Sequence, residues 1–208
     1  MIYVSKNDND EDILCDSCLD DFHDEDNKDD LVICEKCNVA VHQSCYGHGL
    51  LAKFPEGDWF CERCTQLKQE ESKNQGYCNP KEYGCILCSD FKGIIVRTNI
   101  GWVHITCVNW MPEIWFNENS DKTIVEGNLT AERQKLTCSY CKGKNKRRIG
   151  FCIQCDYKDC HTSFHVRCAI QQDLIRSWDE MEDHMEDDKV WEAYIFCKKH
   201  KNQGVIDL

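Results

Sequence analysis

The sequence predicts a small α+β fold assembled from several modules, each stapled by metal ions and not by a large core. Three observations predict it. Eighteen of the 208 residues are cysteine, a density that belongs to disulfide scaffolds or zinc proteins. Cysteine and histidine recur in pairs with two residues between them, as at Cys15 and Cys18 or His42 and Cys45. Hydrophobic residues make up 41% of the chain, which falls to about 32% once cysteine is set aside, thin for one core. The longest apolar runs are short ones such as residues 93–96, so no membrane span is expected. Residues 1–10 hold no apolar stretch of signal-peptide length. The expectation is an intracellular chain, where thiols stay reduced and cysteine clusters serve as metal ligands.

The net charge of −12 is unevenly distributed. Residues 1–30 hold twelve acids and two lysines, and residues 177–189 seven acids and one lysine. Residues 131–176 reverse the sign, with ten basic residues against four acidic. Acidic ground suits a basic partner, and the basic block suits phosphates.

The first group of ligands reads Cys15-x2-Cys18, Cys34-x2-Cys37, His42-x2-Cys45 and Cys61-x2-Cys64. Eight ligands suffice for two tetrahedral zinc ions, since a two-residue gap lets both thiolates of one tight turn reach an ion at about 2.3 Å. The short interval from Cys37 to His42 places neighbouring pairs on different ions. The pairs therefore interleave: Cys15, Cys18, His42 and Cys45 on one ion, Cys34, Cys37, Cys61 and Cys64 on the other. Four cysteines, one histidine and three cysteines at this spacing, with Trp59 two residues before Cys61, resemble a plant homeodomain (PHD) finger. A RING finger is the near rival, but its histidine usually comes earlier and it lacks that tryptophan.

The second group, Cys85, Cys88, His104 and Cys107, is one complete site. Its loop reads as a hairpin through residues 93–101. A short helix after Cys107 must end by Met111, because Pro112 disfavours helix in the residue before it.

The third group offers Cys138, Cys141, Cys152, Cys155, Cys160, His165, Cys168, Cys197 and His200, one more than two ions use. The interval from Cys160 to His165 repeats that from Cys37 to His42, whereas the interval from Cys155 does not. The expected sets are Cys138, Cys141, His165 and Cys168, then Cys155, Cys160, Cys197 and His200, with Cys152 spare. The alternative makes Cys152 a ligand and Cys160 a buried thiol. The total is twenty ligands for five zinc ions. Cys78 and Cys152 are left over, and His23, His48, His161 and His184 read as surface or turn histidines.

The order finger, knuckle, finger resembles the PHD–zinc-knuckle–extended-PHD (PZP) module. That module is found in bromodomain/PHD-finger scaffold proteins of histone acetyltransferase complexes, in Jade proteins and in leukaemia-fusion partners of the Dot1 methyltransferase. Matching stretches include residues 38–47, 55–61, 112–113, 135–138 and 164–169. The fold class is thus two PHD-type cross-brace fingers joined by a C2HC zinc knuckle. The divisions are 1–12 acidic tail, 13–66 PHD finger, 67–82 linker, 83–112 knuckle, 113–203 extended PHD finger and 204–208 tail. Acidic residues 20–30 and residues 48–53 are insertions relative to the family. Local elements follow: a strand at Leu31–Ile33, its partner at residues 39–41, a polar linker at 66–79, a helix at Ala131–Lys135 capped by Thr130, and a helical face over 168–175.

The resemblance implies a chromatin reader and scaffold that binds the histone H3 tail through the first finger, in the nucleus, within a histone acetyltransferase or other histone-modifying complex. An extended peptide can add a strand to the edge formed by Leu31, Val32 and Ile33. The loop of Pro55, Glu56 and Gly57 offers carbonyls to a free N-terminal ammonium, as in the family. Asp29, Asp30 and Glu35 can pair with tail arginine or lysine. Methyl-lysine readers need an aromatic cage, and Asn38, Val39, Ala40 and Val41 supply no aromatic, so unmodified lysine is preferred. Lys142, Lys144, Lys146, Arg147 and Arg148 form a basic run suited to weak, non-specific contact with duplex DNA. Four protein ligands at every site mark structural zinc, and no catalytic motif appears, so no enzyme activity is expected. The alternative function is a RING-like adaptor of a ubiquitin ligase.

Overall fold

The computed structural model describes residues 13–20, 29–46, 56–73, 79–88, 90–117, 119–120, 122–141, 149–175 and 194–201. Its strands are short because each segment between ligands is short, and they pair as two-stranded antiparallel hairpins. In the first finger β1 (Leu31–Ile33) pairs with β2 (Ala40–His42), Val32 opposite Val41. The second strand starts one residue later than the sequence predicts. Val39 instead closes the intervening turn, its carbonyl accepting from Cys34 N at 2.9 Å.

A twelve-residue helix, α1 (Glu62–Lys73), runs into the polar segment expected to be a linker. Glu, Gln and Lys are good helix formers, and only a narrow face, with Arg63, Cys64 and Leu67, is buried. Lys36 ties the helix back to the finger through Glu71 at 2.9 Å, while Arg63 Nε reaches forward to Tyr83 O at 3.0 Å.

The knuckle hairpin consists of β3 (Ile95–Thr98) and β4 (Gly101–His104). Helix α2 (Ile105–Asn109) begins at the residue after His104, earlier than predicted, so Cys107 lies in its first turn. A second hairpin, β5 (Ile114–Phe116) with β6 (Val125–Gly127), was not expected from the sequence. The knuckle's Asn99 side chain holds it by bonding both Val125 N, at 2.8 Å, and Val125 O, at 3.0 Å. Helix α3 (Ala131–Lys135) lies where predicted, with Thr130 Oγ1 accepting from Arg133 N at 3.3 Å. The second finger then forms β7 (Ile153–Gln154), β8 (Ser163–Phe164) and α4 (Val166–Ile170). This helix is earlier and shorter than predicted. Asp173, at φ 54°, turns the chain, so Leu174 and Ile175 are buried from a loop.

One contiguous apolar cluster runs through all three modules, from Cys15, Val32 and Val41 through Leu87, Ile94 and Val108 to Phe164, Val166 and Cys197. Two polar contacts lock the modules together. Asp16, inside the first ligand turn, pairs with Arg167 of the second finger at 2.9 Å and accepts from Ile94 N of the knuckle at 2.7 Å. Phe151 N donates to Leu87 O at 2.6 Å. Gly93 and Gly150 permit these approaches. Both have positive φ, and a Cβ would stand 2.7 Å from Arg167 Nη2 and from Asp16 Oδ2 at the first, and 2.3 Å from Leu87 O at the second.

Candidate metal centres and the strand edge

Five Cys/His sets have their donor atoms mutually within 4.8 Å: Cys15, Cys18, His42 and Cys45; Cys34, Cys37, Cys61 and Cys64; Cys85, Cys88, His104 and Cys107; Cys138, Cys141, His165 and Cys168; and Cys155, Cys160, Cys197 and His200. The geometry gathers Cys160, not Cys152, with Cys155. Tetrahedral zinc with bonds of about 2.3 Å to sulfur and about 2.05 Å to nitrogen would place two sulfurs about 3.8 Å apart, and sulfur and nitrogen about 3.6 Å apart. Cys37 and Cys61 stand 3.8 Å apart, and Cys160 and Cys197 3.9 Å. The sulfur–Nδ1 separations are 3.3 Å for Cys18–His42, 3.3 Å for Cys88–His104, 3.3 Å for Cys141–His165 and 3.4 Å for Cys155–His200. Every histidine turns Nδ1 toward the sulfurs, and His104 bonds the Lys92 carbonyl through Nε2 at 2.6 Å, which orients the ring. Each set fits a zinc ion, with four protein donors among the described residues.

One local template builds all five. The first cysteine of each set accepts a hydrogen bond from the backbone N–H of the third ligand. His42 N reaches Cys15 at 3.4 Å, Cys61 N reaches Cys34 at 3.3 Å and His104 N reaches Cys85 at 3.3 Å. His165 N reaches Cys138 at 3.4 Å and Cys197 N reaches Cys155 at 3.2 Å. The donated N–H stabilises the thiolate form. The fourth ligand follows on a helical turn: Cys107 on α2, Cys168 on α4, and Cys45 on the 3₁₀ turn Ser44–Tyr46. Hydrogen bonds donated by the His42 imidazole to the Cys15 and Cys18 sulfurs push its pKa up to about 10 when no ion is bound. So negative a pocket is one a divalent cation neutralises.

Tyr46 braces the first finger in a way no sequence signal announced. Its ring meets Trp59 edge-on at 5.0 Å and its hydroxyl accepts from Glu62 N at 2.6 Å, fixing the start of α1. Burial pushes the Tyr46 hydroxyl up.

The β1 edge is shaped as follows. Gln43 N donates to Asp30 O and Cys34 N to Val39 O, so the ladder uses the main chain of Asp30, Val32 and Cys34. Alternation then turns the N–H and C=O groups of Leu31 and Ile33 away from β2. Glu35 is exposed and Asp30 half-buried beside this edge. Asp29 is already engaged, its carboxylate accepting from Ser44 N at 2.9 Å and from Ser44 Oγ. Glu56 and Gly57 are exposed. Pro55, Cys78, the bulk of both insertions, and Lys142, Lys144, Lys146, Arg147 and Arg148 lie outside the described residues.

Comparison with known proteins is consistent along the chain. A PHD-finger family model matches residues 28–65, and a PHD-zinc-finger-like domain model matches residues 83–200. The chain is 36% identical to Protein Jade-1 of Xenopus laevis over 92% of its own length and 20% of the relative's. It is 35% identical to the E3 ubiquitin-protein ligase Jade-2 of Homo sapiens, over 94% of the chain and 22% of the relative. For human bromodomain and PHD finger-containing protein 3 the identity is 34%, over 94% and 15%. The chain thus spans about a fifth of the length of these curated relatives. The crystal structure of zebrafish PHF14-PZP matches with a TM-score of 0.60 and 29% identity, covering 90% of this chain and 87% of that one.

Proposed function

The chain belongs to the PHD-like zinc-finger family, and on that premise we propose that it is a zinc-built chromatin reader and scaffold module, not an enzyme. Its five Cys/His sets each take one structural zinc ion. Its first finger, over residues 13–66, binds the histone H3 tail as an added strand on β1. It works in the nucleus, within a histone acetyltransferase or other histone-modifying complex. The observation that carries this reading is the outward-facing main chain of Leu31 and Ile33 flanked by carboxylates. Asp30 and Glu35 pair with basic tail residues, Asp29 positions the turn through Ser44, and the loop at Glu56 and Gly57 receives the tail's N-terminus. An unmodified lysine keeps charge-assisted hydrogen bonds that trimethylation removes, and no aromatic on β2 compensates.

The test is calorimetric titration with N-terminal H3 peptides, unmodified and trimethylated at lysine. One hydrogen bond to a charged group is worth about 1.5–3 kcal/mol, so the trimethylated peptide should bind at least about tenfold more weakly. Tighter binding of the trimethylated form would refute the reading. A second reading, a ubiquitin-ligase adaptor, draws on the name of the Jade-2 relative. Transfer of ubiquitin by the purified chain with an E2 enzyme would favour it.

A further inference from the structure

Cys37 stands apart from the other ligands. It is exposed, whereas every other cysteine and histidine of the five sets is buried or half-buried. It lies in the tight turn between β1 and β2, where Asn38 takes φ 57° and Cys34 N bonds Val39 O at 2.9 Å. Its sulfur is 3.8 Å from that of Cys61, a ligand of the same set. We propose that Cys37 is an oxidation site: hydrogen peroxide attacks it before any other ligand, a disulfide to Cys61 follows, and the ion of that set is expelled. This regulation of the first finger rests on the zinc and tail-binding readings above.

Oxidation of cysteine follows thiolate character together with access. Every zinc-bound sulfur has the first, so access ranks the sets. The knuckle set, with all four ligands buried, should react last. The Cys37 thiolate takes one oxygen from peroxide as the O–O bond breaks, giving a sulfenic acid and hydroxide. The Cys61 thiolate then attacks that sulfur, an S–S bond forms and a second hydroxide leaves. Two thiolates have lost two electrons, peroxide has gained them, and solvent protons turn both hydroxides into water. Zinc keeps its charge throughout. Cys34 and Cys64 alone do not complete a tetrahedral site, so the ion departs as Zn²⁺. The consequence reaches β1, because Cys34 directly follows that strand. Cys61 N bonds the Cys34 sulfur at 3.3 Å, and Glu35 N bonds Trp59 O at 2.9 Å. This set therefore anchors the end of β1 to the segment ahead of α1.

The test treats the whole zinc-loaded chain with rising doses of hydrogen peroxide. Native mass spectrometry counts the ions, peptide mapping locates the disulfides, and calorimetry follows binding of an unmodified N-terminal H3 peptide. The expected result is that the first ion leaves as a Cys37–Cys61 disulfide appears, with the knuckle cysteines still reduced. Peptide binding should weaken at the same dose and return after dithiothreitol and added zinc. Cys37→His keeps a fourth donor without an oxidisable sulfur, and should lose no ion at the dose that costs the wild type one. A first disulfide that omits Cys37, or joins it to another sulfur, overturns the proposal; this mapping needs no variant. So does peptide binding that is unchanged once the Cys37–Cys61 bond has formed. An untreated chain that already lacks this ion, or does not bind the peptide, fails the earlier readings instead, and the mapped order of oxidation still judges Cys37 on its own.

Discussion

Replacing Asp16 by Asn should loosen the whole assembly while leaving every metal centre intact. The substitution keeps an oxygen for Ile94 N, now 2.7 Å away, and removes only the charge facing Arg167. The two side chains are 17% and 11% exposed, so the stranded guanidinium stays largely out of water. Breaking a buried pair by removing one partner costs about 3–5 kcal/mol. Allowing for the residual exposure, we expect about 2–4 kcal/mol. For a chain of this size each kcal/mol moves the melting temperature by about 2–4 °C, giving a fall of about 4–16 °C. Scanning calorimetry with saturating zinc reads the shift, and native mass spectrometry checks that the ion count is unchanged. Because the lost charge faces Arg167 of the second finger while the Ile94 bond is kept, the contact between the two fingers should be the part that loosens. The double variant Asp16→Asn with Arg167→Met removes both charges and should cost less than the sum of the two single changes. A melting temperature within about 2 °C of the wild type, or strict additivity in the double variant, would refute the reasoning.

Gly150→Ala should destabilise the contact between knuckle and second finger, by about 1–3 kcal/mol from left-handed strain alone, with more from the 2.3 Å approach to Leu87 O; urea denaturation measures it. Cys160→Ser should lower the bound-zinc count by one, and an unchanged count in native mass spectrometry would remove Cys160 from the ligands. If Lys142, Lys144, Lys146, Arg147 and Arg148 contact duplex DNA, binding should fall with salt at a log–log slope of roughly −3 to −4, as expected for three to five neutralised phosphates. A gel shift in which the combined Lys146→Ala, Arg147→Ala and Arg148→Ala variant binds duplex DNA as well as the wild type would exclude those residues as the DNA site.

The parts legible in the sequence are those that local chemistry dictates. The short interval between Cys37 and His42 forces interleaving, and the structure gathers the sets accordingly. The Thr130 cap and the apolar run Leu31–Ile33 mark a helix and a strand that both form. Helix α1 carries too few apolar side chains for its 66–73 part to stand out from a linker; its contacts through Arg63 and Lys36 to other segments are ones a sequence pattern does not display. Strands β5 and β6 are three residues each, too short to show alternation, and are held by Asn99 from another module. Asp16 and Arg167 are 151 residues apart, and no local rule pairs them. The spacing singles out Cys152 as surplus, and it lies buried outside the five sets.

The five sets also differ in how much chain must exist before each can close. In both fingers the sets overlap: 15–45 with 34–64, and 138–168 with 155–200. Completing one member of a pair fixes part of the other, so the two ions of a finger are coupled. The knuckle set alone is uninterrupted, confined to 85–107, and closing its shorter loop costs the least entropy. Phe151 docks on the knuckle's ligand turn, at Leu87, and Asp16 just ahead of its hairpin, at Ile94. The middle of the molecule is therefore set up as the template on which both fingers dock. A pulse of zinc followed by quenching at intervals should find the knuckle ligands protected earliest.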